Sequence, residues 1–288
     1  MTSRRKFLLS SVAAPAVLVG YGHWLEPRWL QLDHKRCPIA GLEKDQRIRI
    51  LQLSDLHASS FVPLSWINHA VDIGLAEHPD LICLTGDFIT DSGAPFDHAD
   101  YIRILRRLSA AAPTLAVLGN HDGGLWSVRR HGLADATIVR EMLAKADVDL
   151  LHNRHRAIEF AHGQAMFAGV GDLWSEEVDT DAAFAGIGTV SPPLIVLAHN
   201  PDTKDEIPSH IPWQLMLSGH THGGQVWIPG YGTPFAPVRD QRYVEGMNRW
   251  FNRWIQVCRG VGVTAPIRLY CRPQVSVIDL VPPGLSET

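Results

Sequence analysis

Seven side chains with carboxylate, imidazole or amide donors stand just after short apolar runs in this chain. Leu53 is followed by Ser-Asp55-Leu-His57, Leu84 by Thr-Gly-Asp87, and Leu118 by Gly-Asn120-His121-Asp122. Ala198 leads into His199-Asn200, and Leu217 into Ser-Gly-His220-Thr-His222. Alternate residues of an extended segment project to one side, so Asp55 with His57, and His220 with His222, can each chelate one ion. Asn120 would add an amide oxygen without adding charge. Each piece alone has a plainer reading: a solvated strand end for Asp55-x-His57, a surface pair for His220-x-His222, and turns for Gly86-Asp87 and Asn120. Together they form a donor set without thiolates, which suits Mn, Fe, Zn or a similar divalent ion rather than a structural cysteine zinc site. Asp55, His57, Asp87, Asn120, His199, His220 and His222 are too many for one ion. Two ions sharing a carboxylate accommodate them, and such a pair, roughly 3.5–4 Å apart, clamps the attacking and leaving oxygens of a phosphoryl displacement.

The elements that must carry these residues are short. Ile48–Leu53, Leu81–Leu84, Leu115–Leu118, Leu194–Ala198 and Leu215–Leu217 read as buried strands by length and flanking glycine. Helical periodicity fits 64–77, 98–108 and 134–146. The first half is therefore β-α-β-α-β-α, which favours parallel strands. From His155 onward helices thin out, and 154–160, 165–170, 254–258, 267–271 and 275–280 read as strands in hairpins. The metal-capable residues follow the carboxyl ends of their strands, the edge at which open α/β sheets bind ligands. No internal repeat or linker divides the body, so 46–282 reads as one domain.

The totals agree. In 288 residues, 45% are hydrophobic and 19% charged, an ordinary globular balance. A net charge of −4 lacks the basic excess of a nucleic-acid binder, and no nucleic-acid surface is evident. Four cysteines without a C-x-x-C pair exclude a zinc ribbon and a disulfide-dense scaffold. Cys258 and Cys271 could face each other across adjacent strands, but buried free thiols are the safer reading.

Residues 1–25 read as an address. Arg4-Arg5-Lys6 precede Phe7-Leu8-Leu9 and a mildly apolar stretch to Gly20, the layout of a signal segment. The paired arginines resemble a twin-arginine signal, which exports folded proteins; a plain membrane anchor is the alternative. The small-x-small site to consider for cleavage, Ala14-Pro15-Ala16, is early and contains proline. Trp24, Leu25, Trp29 and Leu30 around Arg28 form an interface-seeking mixture, so a retained tether is expected. This predicts the twin-arginine machinery as a partner, a periplasmic or envelope location, and peripheral or tethered attachment to the inner membrane.

The joint pattern Asp55-x-His57, Gly86-Asp87, Gly119-Asn120-His121-Asp122, His199 and Gly219-His220-x-His222 resembles the calcineurin-like metallophosphoesterase family, in order and spacing from Ile48 to Gln225. The paired arginines, Leu-Ala-His199-Asn-Pro-Asp202 and His222-Gly-Gly-Gln225 resemble its exported phosphodiesterase branch. The resemblance implies an α/β fold, a four-layer α-β-β-α sandwich with two mixed β-sheets. It implies that Asp55, His57 and His222 hold one metal, that Asp87 bridges, and that Asn120, His199 and His220 complete the second. His121 would act on the leaving oxygen or steady the transition state, and Asp122 would orient His121. One departure is that the family's frequent Gly-Asp-x-x-Asp has Thr90 at its last position, with Asp91 one residue later. The implied activity is phosphodiester hydrolysis by a metal-bridged hydroxide, on a phosphodiester or lipid-linked phosphate. The alternatives are a pyrophosphatase acting on a nucleotide-activated lipid-sugar precursor of the UDP-diacylglucosamine type, and a catalytically silent binding module. Trp126, Arg129 and Arg130 are candidates for a substrate loop. Trp250, Phe251 and Trp254 are candidates for lipid contact, though a packed hairpin is the simpler reading. The other histidines, His69, His131 and His152 among them, read as surface or packed residues.

Overall fold

Strand β2, Ile48–Leu53, shows why the apolar runs are continuous rather than alternating. Ile48 and Ile50 point into a cluster between two sheets, whereas Leu51 and Leu53 point into a cluster beneath helices. Both faces are buried, so both need apolar residues. The remaining strands are β1 Gln31–Pro38, β3 Leu81–Thr85, β4 Thr114–Val117, β5 Asp149–Leu150, β6 Arg154–Phe160, β7 Gly163–Gly169, β8 Leu194–Leu197, β9 Leu215–Ser218, β10 Gly246–Trp250, β11 Arg253–Val257 and β12 Gln274–Val281. The computed structural model describes residues 17–43, 46–90, 96–130, 132–161, 163–188 and 192–284. Arg4, Arg5, the 14–16 site, Asp91 and His131 lie outside the described residues.

One sheet runs β1-β12-β2-β3-β4-β5 and the other β10-β11-β9-β8-β7-β6. In the first, β2 to β5 are parallel and β12 is antiparallel to β2. In the second, β7, β8, β9 and β11 are parallel, with antiparallel hairpin partners β6 and β10 at the edges. Both sheets are mixed, and they stack through Leu81, Cys83, Leu115, Val117, Phe167 and Leu217. Helices Leu64–Leu75, His98–Ala111 and Thr137–Lys145 cover the first sheet. Each buries residues three or four apart, as Tyr101, Leu105 and Leu108 do. Among the described residues, the outer face of the second sheet carries short helical segments, Thr180–Ala183 and Pro201–Asp205, with Trp213 and Tyr243 packed beneath. The α-β-β-α order is present with a thin fourth layer.

Three expectations are corrected. The body begins well before residue 46, because β1 pairs in parallel with β12 along its whole length. Residues 267–271 form no strand: after Pro266 the chain makes one bridge, Val226 to Leu269, and otherwise loops around the Arg268 side chain. Strand β12 is not in a hairpin but crosses to the first sheet, while Trp254 pairs with the unexpected β10. No helix among the described residues is long and apolar enough to cross a membrane.

Candidate metal centre

The strand ends converge because the chain turns sharply after each of them. Asp55, His57, Asp87, His220 and His222 all adopt left-handed backbone, with φ of 51, 48, 58, 68 and 51°. Such conformations cost about 1–3 kcal/mol each for residues other than glycine, and they collect where function demands them. Backbone bonds between neighbouring strand ends hold them: Asp55 N–H to Gly86 carbonyl at 3.0 Å, and His57 N–H to Asp87 carbonyl at 2.9 Å. Two glycines keep space for the carboxylates. A Cβ on Gly119 would collide with Asp87 Oδ1, and one on Gly219 with Asp55 Oδ2.

Asp87 stands between two donor groups. On one side, His57 Nε2 lies 3.0 Å from His222 Nε2, which is 3.3 Å from Asp55 Oδ1. Asp87 Oδ2 lies 3.4 Å from His57 Nε2 and, on the other side, 3.2 Å from His199 Nε2. His220 presents Nδ1 to His199 Nε2 at 3.3 Å. Asn120 Oδ1 is buried and has no hydrogen-bond partner. The structure thus brings all seven expected donors to one place. A ring nitrogen of His121 also falls within 4.8 Å of donors of His57 and Asp87.

Without cations this cluster is electrostatically unresolved. Burial, with the neighbouring Asp87 charge, pushes Asp55 up to about 7, while burial pushes His57 down to about 3. Burial alone would raise Asp87, but the charge on His199, with His121 and His57 behind it, holds it well below the usual carboxylate range. His220 and His222 are held well below the ordinary imidazole range, first by burial. His199 is the exception: burial alone would lower it, but the Asp87 charge holds it well above that range. Two buried carboxylates among crowded imidazoles, with an orphaned amide oxygen, fit divalent ions that would ionise the acids and take the place of the His199 proton.

The supporting contacts orient the donors. His199 Nδ1 lies 2.7 Å from the Thr85 carbonyl, a bond that makes Nδ1 a donor and leaves Nε2 facing Asp87. Thr90 Oγ1 sits 3.0 Å from His57 Nδ1, so the residue that departs from the family pattern supports a metal-capable histidine. Arg268, fully buried, places Nη2 3.4 Å from His222 Nδ1 and donates to the Gly262 and Arg259 carbonyls at 2.7 Å. Asp122 differs from expectation. It accepts from the backbone N–H groups of Gly119, Asp87 and Phe88 at 2.8, 2.9 and 2.7 Å, clasping the turns after β3 and β4. Its oxygens are occupied by those bonds, and His121 Nδ1 is buried without a partner, so Asp122 does not orient that ring. The His121 backbone N–H donates to Asp87 Oδ1 at 2.9 Å.

A cavity of about 680 Å³ opens over the donors and is walled by Trp126, Arg130, Trp174 and Phe235. Trp126 stands edge-on to His121 at 4.6 Å and 5.4 Å from Trp174, which stands edge-on to His220 at 4.2 Å. Trp126 and Arg130 thus belong to the pocket, whereas Arg129 is exposed outside it. Trp174 and Arg268 carry no motif that marks them in sequence. Trp250 stacks on Trp213 at 5.4 Å in a packed hairpin, with Phe251 at its exposed tip. Cys258 and Cys271 are buried free thiols.

Comparison with known proteins agrees with this geometry. The calcineurin-like phosphoesterase family pattern matches residues 48–224. The chain is 40% identical over 286 residues to phosphodiesterase YaeI of Escherichia coli (strain K12), covering 98% of this chain and 100% of that protein. It is 29% identical to the uncharacterized metallophosphoesterase YkuE of Bacillus subtilis (strain 168), covering 96% and 97%. It is 25% identical to the UDP-2,3-diacylglucosamine pyrophosphatase LpxG of Chlamydia muridarum (strain MoPn / Nigg), covering 94% and 95%. A family match that spans all the donor-bearing strand ends, together with full-length similarity, makes this chain a member of the calcineurin-like phosphoesterase family.

Proposed function

We propose that the chain is a phosphodiesterase working with two divalent ions. The observation that carries this reading is Asp87 placed between the group Asp55, His57, His222 and the pair His199, His220, with the unpartnered amide oxygen of Asn120 belonging to a residue of the same cavity; Asn120, His199 and His220 are read as the second group. Those groups would hold one ion each, with Asp87 shared. The ions would supply Lewis acidity, lowering the pKa of water and neutralising charge on the phosphoryl oxygens. The chain's own residues supply the rest. Asp122 ties the backbone of the Asp87 turn to that of Gly119 through three bonds, and the His121 backbone N–H donates to the Asp87 carboxylate. His121, which lines the cavity, would donate a hydrogen bond and then a proton to the leaving oxygen. Trp126 and Trp174 exclude water from one side and give the organic part of the substrate an apolar wall.

The name of the E. coli relative supports a diester as substrate. A second reading, hydrolysis of a lipid-linked nucleotide pyrophosphate, is supported by the named activity of the Chlamydia relative and by the aromatic wall. A silent binding module on this fold predicts missing donors, and all seven are in place. The basic, then apolar, start of the chain supports export by the twin-arginine machinery and attachment at the envelope membrane. The test is to load the purified full chain with Mn²⁺, Zn²⁺ or Fe²⁺ and compare hydrolysis of an aryl diester, an aryl monoester and a nucleotide-sugar pyrophosphate. Preferred diester turnover, abolished by chelation and restored by metal, is expected. Turnover that survives complete metal removal would overturn the reading.

A further inference from the structure

The end of the expected signal and the residues just after it, Gly22 to Trp29, are built into the wall of the catalytic end. Arg268 N–H donates to the Gly22 carbonyl at 2.8 Å, and the buried Glu26 carboxylate accepts from the backbone N–H groups of Tyr270 and Cys271. Arg272 lies over the Trp29 ring at 4.1 Å. The same 267–271 loop carries Tyr270, whose ring meets Trp227 at 6.2 Å, and Leu269, which pairs with Val226. Trp227 and Ile228 open a tight turn with Tyr231 at its tip, closed by Gly232 against Ile228. Phe235 and Val226 then line the cavity over the metal donors.

Large apolar side chains are exposed all along this path. Val17, Val19, Trp24 and Leu25 are 58–71% exposed, and Tyr231 and Phe235 are each 75% exposed. Scattered singly, such residues mean nothing; in one contact-linked run they mark an interaction surface. What covers it is indicated by the chain that enters it. In the sequence, residues 7–16 are apolar apart from Ser10 and Ser11, follow Arg4-Arg5-Lys6, and precede the exposed helical residues Val17, Leu18 and Val19. Tryptophans and tyrosines beside Arg28 and Arg272 have the composition of a membrane–water interface.

We infer that this face docks on a lipid bilayer, with the Trp227–Tyr231 turn at the headgroup level and the metal cavity opening onto the membrane surface. The inference rests on the phosphodiesterase reading and deepens it: the substrate class becomes phosphodiesters of lipids, reached laterally past Phe235. The tether fixes the body's orientation as well as its location, because Glu26 and Gly22 join it to the loop behind His222.

The four native thiols are buried, so a single introduced cysteine takes an environment-sensitive fluorophore selectively. The full chain is labelled at Tyr231→Cys, or at Glu141→Cys on the helix beside β5, the edge of the first sheet opposite β1. Each is mixed with vesicles of phosphatidylethanolamine and phosphatidylglycerol, with and without bromine on the acyl chains. The label at 231 should shift to the blue on vesicles and be quenched by bromolipid, while the label at 141 should do neither. If the protein floats with the vesicles but the label at 231 stays in water, the apolar start alone binds and the docking face is refuted. A blue shift without vesicles that grows with protein concentration would assign the face to a second copy of the chain and equally refute it. Metal content and turnover of a soluble diester, measured on the same labelled protein, report separately on the catalytic reading.

Discussion

The two ends of strand β2 carry polar clusters of similar size that are settled in opposite ways. At its start, Arg49 Nε and Nη2 donate to both oxygens of Asp279 at 2.8 and 3.0 Å, and Arg49 Nη1 donates to the Glu77 carbonyl at 3.1 Å. Burial would raise Asp279, but the Arg49 hydrogen bonds override it and hold the acid below its usual range. At the other end, Asp55 is pushed up to about 7, and no arginine or lysine pairs with it or with Asp87 among the described residues. The first cluster is complete within the chain. The second has strained backbone, facing imidazole nitrogens and an orphaned amide, and only cations from outside complete it. Local inconsistency of this kind, in an otherwise consistent fold, is where function is found.

Four substitutions probe the contrast. Asp87→Asn removes the shared charge and should reduce occupancy at both metal positions. Turnover should fall by at least about 10³-fold, since metal stabilisation of the transition state is worth several kcal/mol. Elemental analysis and diester rates check it together; full occupancy with full turnover would break the bridging assignment. His121→Ala should keep both metals and lower kcat by about 10²–10⁴-fold. The loss should shrink for diesters with an acidic leaving group that departs unprotonated. Metal loss would make His121 a ligand instead, and a loss independent of leaving group would reassign it to transition-state binding.

Thr90→Val removes the oxygen that steadies His57 Nδ1. Metal affinity should weaken by about 10–100-fold with the fold intact, read by chelator competition; unchanged affinity would make Thr90 a bystander. The smallest effect belongs to the complete end. Asp279→Asn should cost about 1 kcal/mol at neutral pH, because the pair is only partly buried. Its folded pKa is lowered, so the stabilisation is present above the ordinary carboxylate range and is lost as pH falls through the lowered value. Denaturation curves of wild type and variant should therefore converge in acid, with the metal content of the variant equal to that of wild type at neutral pH.

Much of this was legible in the residue string, for a physical reason. Strands buried on both faces are uninterrupted apolar runs, so β2, β3, β8 and β9 were readable to within a residue, and the donors sit at their ends. Strand β1 was missed because it reads Gln-Leu-Asp-His-Lys-Arg-Cys-Pro, an edge strand whose polar residues face solvent. The 267–271 segment looked like a strand because its apolar residues surround Arg268, but that side chain draws the loop around itself by bonding to five carbonyls, those of His222, Arg259, Gly260, Gly262 and Cys271. Asp122 next to His121 invites a catalytic pair, yet neighbours in sequence after a strand point apart, and its oxygens meet backbone donors instead. Trp174 reaches the cavity from a loop after β7, a contact that depends on the packing of the second sheet and leaves no local signal.

The central claim is that the chain completes a site for two ions around Asp87, and an anomalous difference map from crystals grown with Mn²⁺ addresses it directly. The account predicts two peaks on either side of the Asp87 carboxylate, one among Asp55, His57 and His222 and the other among Asn120, His199 and His220. A single peak, or peaks that leave Asp87 uncoordinated, would contradict it.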